Sequence, residues 1–157
     1  MGFSPVGLMV SIAVLAPNLL ILIFPPRDSP PEVSVPLVFA WLERSGQALC
    51  LVLPALTEPR GTVWWSAPAA LALTGYYALW GRYVLRERTF AGLYRPAGGV
   101  PVPMAILPVL IFLATAAWFA SGWIAAAAAL LAAGHIPASL VIARAVKHDR
   151  RENLAKP

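Results

Sequence analysis

Long apolar stretches alternate with short polar segments along the whole chain. A helix needs about 17–25 predominantly apolar residues to cross the hydrocarbon core of a bilayer, and five stretches approach or reach that length. The pattern therefore predicts an all-α integral membrane protein, a bundle of five transmembrane helices in a single membrane domain, residues 1–157. The predicted spans are residues 7–24, 37–56, 63–85, 102–120 and 123–146.

Composition supports the membrane class. Hydrophobic residues make up 59% of the chain and charged residues 12%, whereas a soluble domain carries about 25% charged residues. The net charge of +5 does not indicate a nucleic-acid partner, because the basic residues cluster beside apolar segments as they do in cytoplasmic loops. We therefore expect the lipid bilayer, and no nucleic acid, as a partner.

The basic residues also predict the orientation. With five spans, one side of the membrane carries a single basic residue, Arg60, and the other side carries ten. The positive-inside rule then predicts an external N-terminus, a cytoplasmic C-terminus and a multi-pass protein of the cytoplasmic (inner) membrane. The ten are Arg27, Arg82, Arg86, Arg88, Arg95, Arg144, Lys147, Arg150, Arg151 and Lys156.

The second predicted span contains the polar group from which we predict function. Glu43 and Gln47 are four residues apart and share a helical face, whereas Arg44 lies about 100° further round the helix. Ionisable groups at such depth usually face a bundle interior and are functional. We expect Glu43 and Arg44 to find partners on other helices. The alternative is a Glu–Arg network that only fixes helix packing.

Other spans contribute further candidates. Asn18 follows Pro17, which frees a backbone carbonyl; Asn18 either satisfies that carbonyl locally or faces the polar group of the second span. His135 in the fifth span either makes a packing hydrogen bond or contacts a ligand. The third span carries Tyr76, Tyr77, Trp80 and Tyr83, of which Tyr76, Trp80 and Tyr83 form one helical stripe. That stripe is either an interfacial belt or the wall of a pocket.

Depth estimates bring these residues to one level. At about 1.5 Å per residue, they all fall in the cytoplasmic half of the predicted spans. We therefore predict a pocket open to the cytoplasmic leaflet, with apolar depth, aromatic walls and a carboxyl group near its mouth.

The sequence lacks the motifs that mark several classes of enzyme. The sequence has no Gly-rich phosphate loop, no HExxH pattern and no serine elbow, and Asp28 and Asp149, in the flanks, are its only aspartates. We predict no cofactor and no metal. A buried carboxyl can act as a general acid, aromatic faces can stabilise a cation, and a water-poor cavity protects it. These features favour protonation-initiated polyene cyclisation, or passive binding of an apolar ligand.

The segments PNLLILIFPP, LERSGQ, YYALWGRY, VPMAILPVL and GHIPASL resemble a family of small bacterial multi-span proteins. They are similar to the membrane-bound terpene cyclases of drimane-type (drimentine-like) pathways and, more distantly, to larger fungal membrane cyclases. The resemblance implies that a membrane carboxylate protonates the terminal alkene or epoxide of a prenyl chain. Glu43 matches that role. The fungal enzymes use a second acidic residue, which has no counterpart within a span here.

The leading hypothesis is a membrane terpene cyclase acting on a farnesyl-type chain of a prenylated small molecule. Glu43 is its predicted acid, His135 takes the final proton, and Arg44 has a structural or electrostatic role. The predicted substrate-binding residues are Asn18, Gln47, Tyr76, Tyr77, Trp80 and Tyr83. The alternatives are a non-catalytic binder or transporter of a small apolar or cationic ligand, and a structural subunit of a membrane complex.

Overall fold

The computed structural model describes the backbone of residues 2–155 and the side chains of residues 2–149; Lys156 lies outside the described residues, as do the side chains of Arg150 and Arg151. The fold is all-α over this part of the chain, as predicted. The six α-helices are α1 (Pro5–Ile23), α2 (Leu37–Ala55), α3 (Ser66–Arg82), α4 (Phe90–Leu93), α5 (Pro103–Phe119) and α6 (Gly122–Ala155).

A long helix lies at each of the five predicted ranges, with local differences at its ends. A 3-10 turn (Val63–Trp65) precedes α3, and a π-helical turn (Tyr83–Glu87) follows it. The π turn ends at Arg88, whose φ of +36° is in the left-handed region. Helix α6 continues past the predicted end at residue 146, because its polar tail remains helical.

Among the residues that the structure describes, two helices are long and apolar enough to cross a membrane by length and composition: α1 and the Gly122–Asp149 portion of α6. Helix α5 is apolar but has only 17 residues. Helix α2 has 19 residues, but Glu43, Arg44 and Gln47 interrupt its apolar character.

The five long helices pack in a ring. Around it, α1 contacts α2, α2 contacts α6, α6 contacts α5, α5 contacts α3, and α3 returns to α1; the α2–α6 interface is the most extensive. The core between them is formed by aliphatic and aromatic side chains, chiefly Val14, Tyr76, Trp80, Tyr83, Val109, Ile111, Phe112 and Leu131. In this ring α2 lies between α1 and α6, so the α2–α6 interface is separate from the α1–α3 interface.

Candidate functional site

Glu43 and His135 meet where α2 packs on α6. The imidazole Nδ1 of His135 lies 2.8 Å from the Glu43 Oε1 atom, a distance typical of a charge-assisted hydrogen bond. The two side chains are 24% (His135) and 25% (Glu43) exposed, so the pair is shielded but reachable. The partner that the sequence predicted for Glu43 on another helix is therefore a histidine.

Glycine at the crossing explains how the pair forms. A Cβ on Gly134 would lie 2.7 Å from the Phe39 carbonyl oxygen and 2.8 Å from the Glu43 Cα atom, and a Cβ on Gly46 would lie 2.5 Å from the Leu131 Cα atom. Small residues let two helical backbones approach closely. The missing side chain of Gly134 brings the backbone of α2 against α6, and the next residue, His135, then reaches Glu43.

Gln47 completes the group. Its Nε2 amide donates to the same Glu43 Oε1 atom over 3.3 Å, as expected from their spacing of four residues on one helix. Both contacts fall on Oε1, and no residue in the described part of the chain donates a hydrogen bond to Oε2. The carboxyl group therefore keeps one oxygen available to a ligand.

Arg44 does not join this group. Its side chain is exposed on the outward face of α2, and no acidic side chain among residues 2–149 forms a salt bridge with it. The predicted interhelical partner of Arg44 is wrong for this chain, because the rotation that points Glu43 at α6 turns Arg44 away from the bundle.

Asn18 and two tyrosines form a second cluster between α1 and α3. The Tyr76 hydroxyl donates to Asn18 Oδ1 over 2.7 Å, and Asn18 Nδ2 donates to the Val14 carbonyl over 3.2 Å. The carbonyl that Pro17 frees is that of Ala13, and the Tyr77 hydroxyl donates to it over 3.0 Å. Neither role predicted for Asn18 is therefore correct, because Tyr77 satisfies the freed carbonyl and Asn18 faces Tyr76.

The aromatic stripe is buried in helix packing. Tyr76, Trp80 and Tyr83 are at most 5% exposed, and their rings stack edge to face with centroids 6.4 and 5.6 Å apart. The Tyr83 hydroxyl donates to the Phe24 carbonyl at the end of α1 over 2.9 Å. The stripe thus fastens α3 to α1. Within the described residues, no hydrogen bond or ring contact joins the stripe to Glu43, so the predicted single site is divided into two clusters.

A large groove lies at the end of the bundle formed by the 25–36 and 86–101 segments and the second half of α6. Its volume is about 1580 Å³, and its walls include Asp28, Glu32, Phe90, Tyr94, Arg144 and Lys147. None of the predicted site residues lines it. Burial raises the pKa of Tyr94, and the Glu43 carboxylate raises it further.

The walls of the groove are held by polar contacts that the sequence did not predict. Glu87 forms salt bridges with Arg95 and Arg82, Asp28 Oδ1 accepts from the Phe90 backbone N–H over 2.7 Å, and the Arg27 N–H donates to the Arg88 carbonyl over 2.8 Å. The Asp28–Phe90 and Arg27–Arg88 contacts link two segments about 60 residues apart, a pairing that has no periodic signal in the sequence.

Comparisons with protein-family models, with curated proteins and with solved structures find no match to this chain. The residues from Gly2 to Asp149 include no group of three or more histidine, cysteine, aspartate or glutamate side chains arranged to hold a metal ion. The chemistry available at the site is therefore that of the Glu43, His135 and Gln47 side chains.

Proposed function

We propose that all five long helices cross the cytoplasmic membrane, with the N-terminus outside and the C-terminus in the cytoplasm. Two helices with the length and composition of spans support this topology, as does the ten-to-one distribution of basic residues. In this topology α2 carries Glu43 into the membrane. The hydrogen bonds from His135 and Gln47 compensate part of the cost of burying this polar carboxyl group.

Within that membrane domain the protein acts as a terpene cyclase that starts catalysis by protonating a farnesyl-type chain. The observation that carries this proposal is the Glu43–His135 pair. Oε1 is contacted by His135 Nδ1 and Gln47 Nε2, whereas Oε2 has no such contact within the described residues. In the proposed resting state Nδ1 carries the proton and donates to Oε1. A carboxyl group in this arrangement can deliver a proton from Oε2. The donors at Oε1 then stabilise the carboxylate that remains, without reorganisation at the moment of reaction.

The proposed reaction is an isomerisation and consumes no other reagent. The Glu43 Oε2–H bond breaks, and its proton adds to the terminal alkene carbon, or to the oxygen of a terminal epoxide. Internal double bonds then attack the developing cation and form the ring bonds. Loss of a proton from a carbon beside the final cation creates a new double bond. His135 accepts this proton at Nε2. Release of that Nε2 proton to water and uptake of one proton from water at Glu43 Oε2 restore the starting pair, with Nδ1–H still donating to Oε1.

The catalytic test uses full-length variants in lipid nanodiscs with farnesyl-bearing substrates, analysed by mass spectrometry and NMR. Glu43→Gln should lower turnover by about 10²–10⁴-fold, because the amide keeps the shape of the carboxyl group but has no acidic proton. The matched control is Glu58→Gln, which removes a carboxyl from an exposed loop and should leave turnover unchanged. Near wild-type cyclisation by Glu43→Gln would remove Glu43 from the mechanism.

A second candidate function, a subunit of a membrane complex, is favoured by the exposed and unpaired Arg44 side chain. An arginine facing lipid is costly, and a carboxylate from a partner helix would compensate that cost. Under this function, Arg44→Ala should release a copurifying membrane protein, and wild-type protein should convert no prenyl substrate. Turnover by the wild type, together with full activity of Arg44→Ala, would exclude it.

A further inference from the structure

The groove at the loop end is larger than a prenyl chain needs. Its volume of about 1580 Å³ exceeds the roughly 300–1,000 Å³ of typical small-molecule sites. In the proposed topology its walls lie at the cytoplasmic end of the bundle, at the level of the lipid head groups. For an amphiphile entering from the inner leaflet, the polar end would therefore contact the groove, and the apolar end would contact the helices.

The groove also approaches the Glu43–His135 pair. On α6 its wall begins at Leu140, five residues after His135, which is about 7.5 Å along the axis at 1.5 Å per residue. Tyr94 forms another part of the wall and senses the Glu43 charge. An extended farnesyl tail is long enough to cover this axial distance, so a molecule with its head in the groove can bring the end of its tail to the level of Glu43 along α6.

The charges of the lining residues discriminate among polar ends. Four acidic side chains line the groove, Asp28, Glu32, Glu87 and Asp149, against three basic ones, Arg95, Arg144 and Lys147. The lining side chains themselves therefore carry no net positive charge that would attract a polyanion. The same side chains, with the Tyr94 hydroxyl, offer both hydrogen-bond donors and acceptors, and Phe90 adds an apolar face.

We infer that this groove binds the polar end of the substrate, a head without net negative charge and rich in donors and acceptors, while the prenyl tail extends past Tyr94 towards Glu43. This assignment rests on the proposed cyclase function, which it deepens. It makes Tyr94 a positioning residue, and it separates head recognition in the loop segments from chemistry at the α2–α6 crossing.

The first experiment measures equilibrium binding of tritiated probes to the full chain in nanodiscs. The probes share a farnesyl tail and differ in the head: farnesyl glucoside, farnesyl diphosphate and farnesol. Ala143→Trp on α6 and Ala91→Trp on α4 each place a bulky side chain in the lining of the groove. The matched control is Ala133→Trp, exposed on α6 outside the groove. Both groove variants should raise the Kd of farnesyl glucoside by about tenfold or more, and the control variant should not.

Farnesol has almost no head, so its Kd should change little in any variant, and the diphosphate should bind wild-type protein more weakly than the glucoside. Unchanged glucoside binding in both groove variants, with melting temperatures equal to wild type, would overturn the assignment. Tighter binding of the diphosphate would overturn it equally. These are binding measurements, so they separate failure of the groove from failure of the cyclase proposal, which Glu43→Gln turnover decides.

A second experiment needs no substitution. Farnesyl glucoside carrying a photoreactive diazirine is crosslinked to wild-type protein, and the labelled peptides are identified by mass spectrometry. A diazirine at the end of the tail should label the 37–55 peptide that contains Glu43, and one on the sugar should label residues 86–101 or 140–149. Labelling of α1 or α5 by the tail, or of the opposite loop 57–62 by the sugar, would contradict the inferred orientation.

Discussion

Tyr77, on α3, donates a hydrogen bond to a backbone carbonyl of α1 that Pro17 leaves without a donor. Proline lacks an N–H, so the carbonyl of Ala13, four residues earlier, has no partner within α1; the Tyr77 hydroxyl lies 3.0 Å from it. Apolar surroundings make an unpaired carbonyl costly. The Tyr77 side chain is 46% exposed, so its burial alone does not indicate this structural role.

Tyr77→Phe should destabilise the protein by about 1–3 kcal/mol, since it leaves the Ala13 carbonyl unpaired. The matched control is Thr74→Val, because the Thr74 hydroxyl donates to Ala70 within the same helix, where the backbone already supplies a donor. Denaturant titration in detergent measures both changes. Equal unfolding midpoints for the two variants would contradict the role assigned to Tyr77.

Tyr94 predicts a dependence of stability on alkaline pH. Burial and the Glu43 charge raise its pKa in the folded state above the ordinary value of 10.0. A raised folded-state pKa favours the neutral phenol, so its contribution to stability is fully present below pH 10 and is lost as the pH rises through the folded-state pKa. Tyr94→Phe has no phenol hydroxyl to ionise, so this loss of stability should be absent in the variant.

Unfolding free energies measured between pH 8 and pH 12 should therefore fall less in Tyr94→Phe than in the wild type. The two proteins should show parallel behaviour below pH 9, where the phenol is neutral in both the folded and the unfolded state. An identical alkaline decline in the two proteins would show that Tyr94 ionises as freely in the fold as in the unfolded chain.

At the scale of elements, the α2–α6 crossing depends on backbone contact. A methyl group on Gly134 would meet the Phe39 carbonyl and the Glu43 Cα atom, and backbone atoms cannot move aside as a flexible side chain can. Gly134→Ala should therefore force the helices apart and cost about 1–3 kcal/mol.

Gly81→Ala is the control for this prediction, because no atom lies within 4 Å of a Cβ placed there. It should be neutral or stabilise by up to about 1 kcal/mol through helix propensity alone. Thermal melting of the two variants in one detergent compares them directly. A Gly134→Ala protein as stable as the wild type would show that the crossing can widen without loss.

The positions of the helices were predictable and their pairings were not. Apolar length located five long helices, whereas α4, four residues long, is too short for any period to reveal. Spacing placed Glu43 and Gln47 on one face, and their contact agrees. The pairing of Glu43 with His135 depends on which helices are neighbours in the ring and on Gly134, and neither follows from periodicity. Tyr94 lies in a loop, where no pattern marks a residue.

For the whole molecule, the proposed topology makes a direct prediction. A green fluorescent reporter fused after residue 157 should fluoresce, because the C-terminus lies in the cytoplasm, and an alkaline phosphatase fused there should be inactive. A phosphatase inserted at Gly61, in the loop between α2 and α3, should be active outside. The physical reason is the ten-to-one distribution of basic residues between the two sides. The reversed pattern of activities would reject the orientation.

The bond between Tyr77 and Ala13 also bears on how the protein is made. The two residues are 64 positions apart, so at about 5–20 residues per second a ribosome needs roughly 3–13 s after Ala13 to add Tyr77. During that interval the nascent first helix has a carbonyl without its native donor. In the proposed topology, we therefore expect α1 to remain beside the insertion machinery until the third helix emerges. A ribosome stalled between the synthesis of Ala13 and that of Tyr77 should then leave α1 extractable from the lipid.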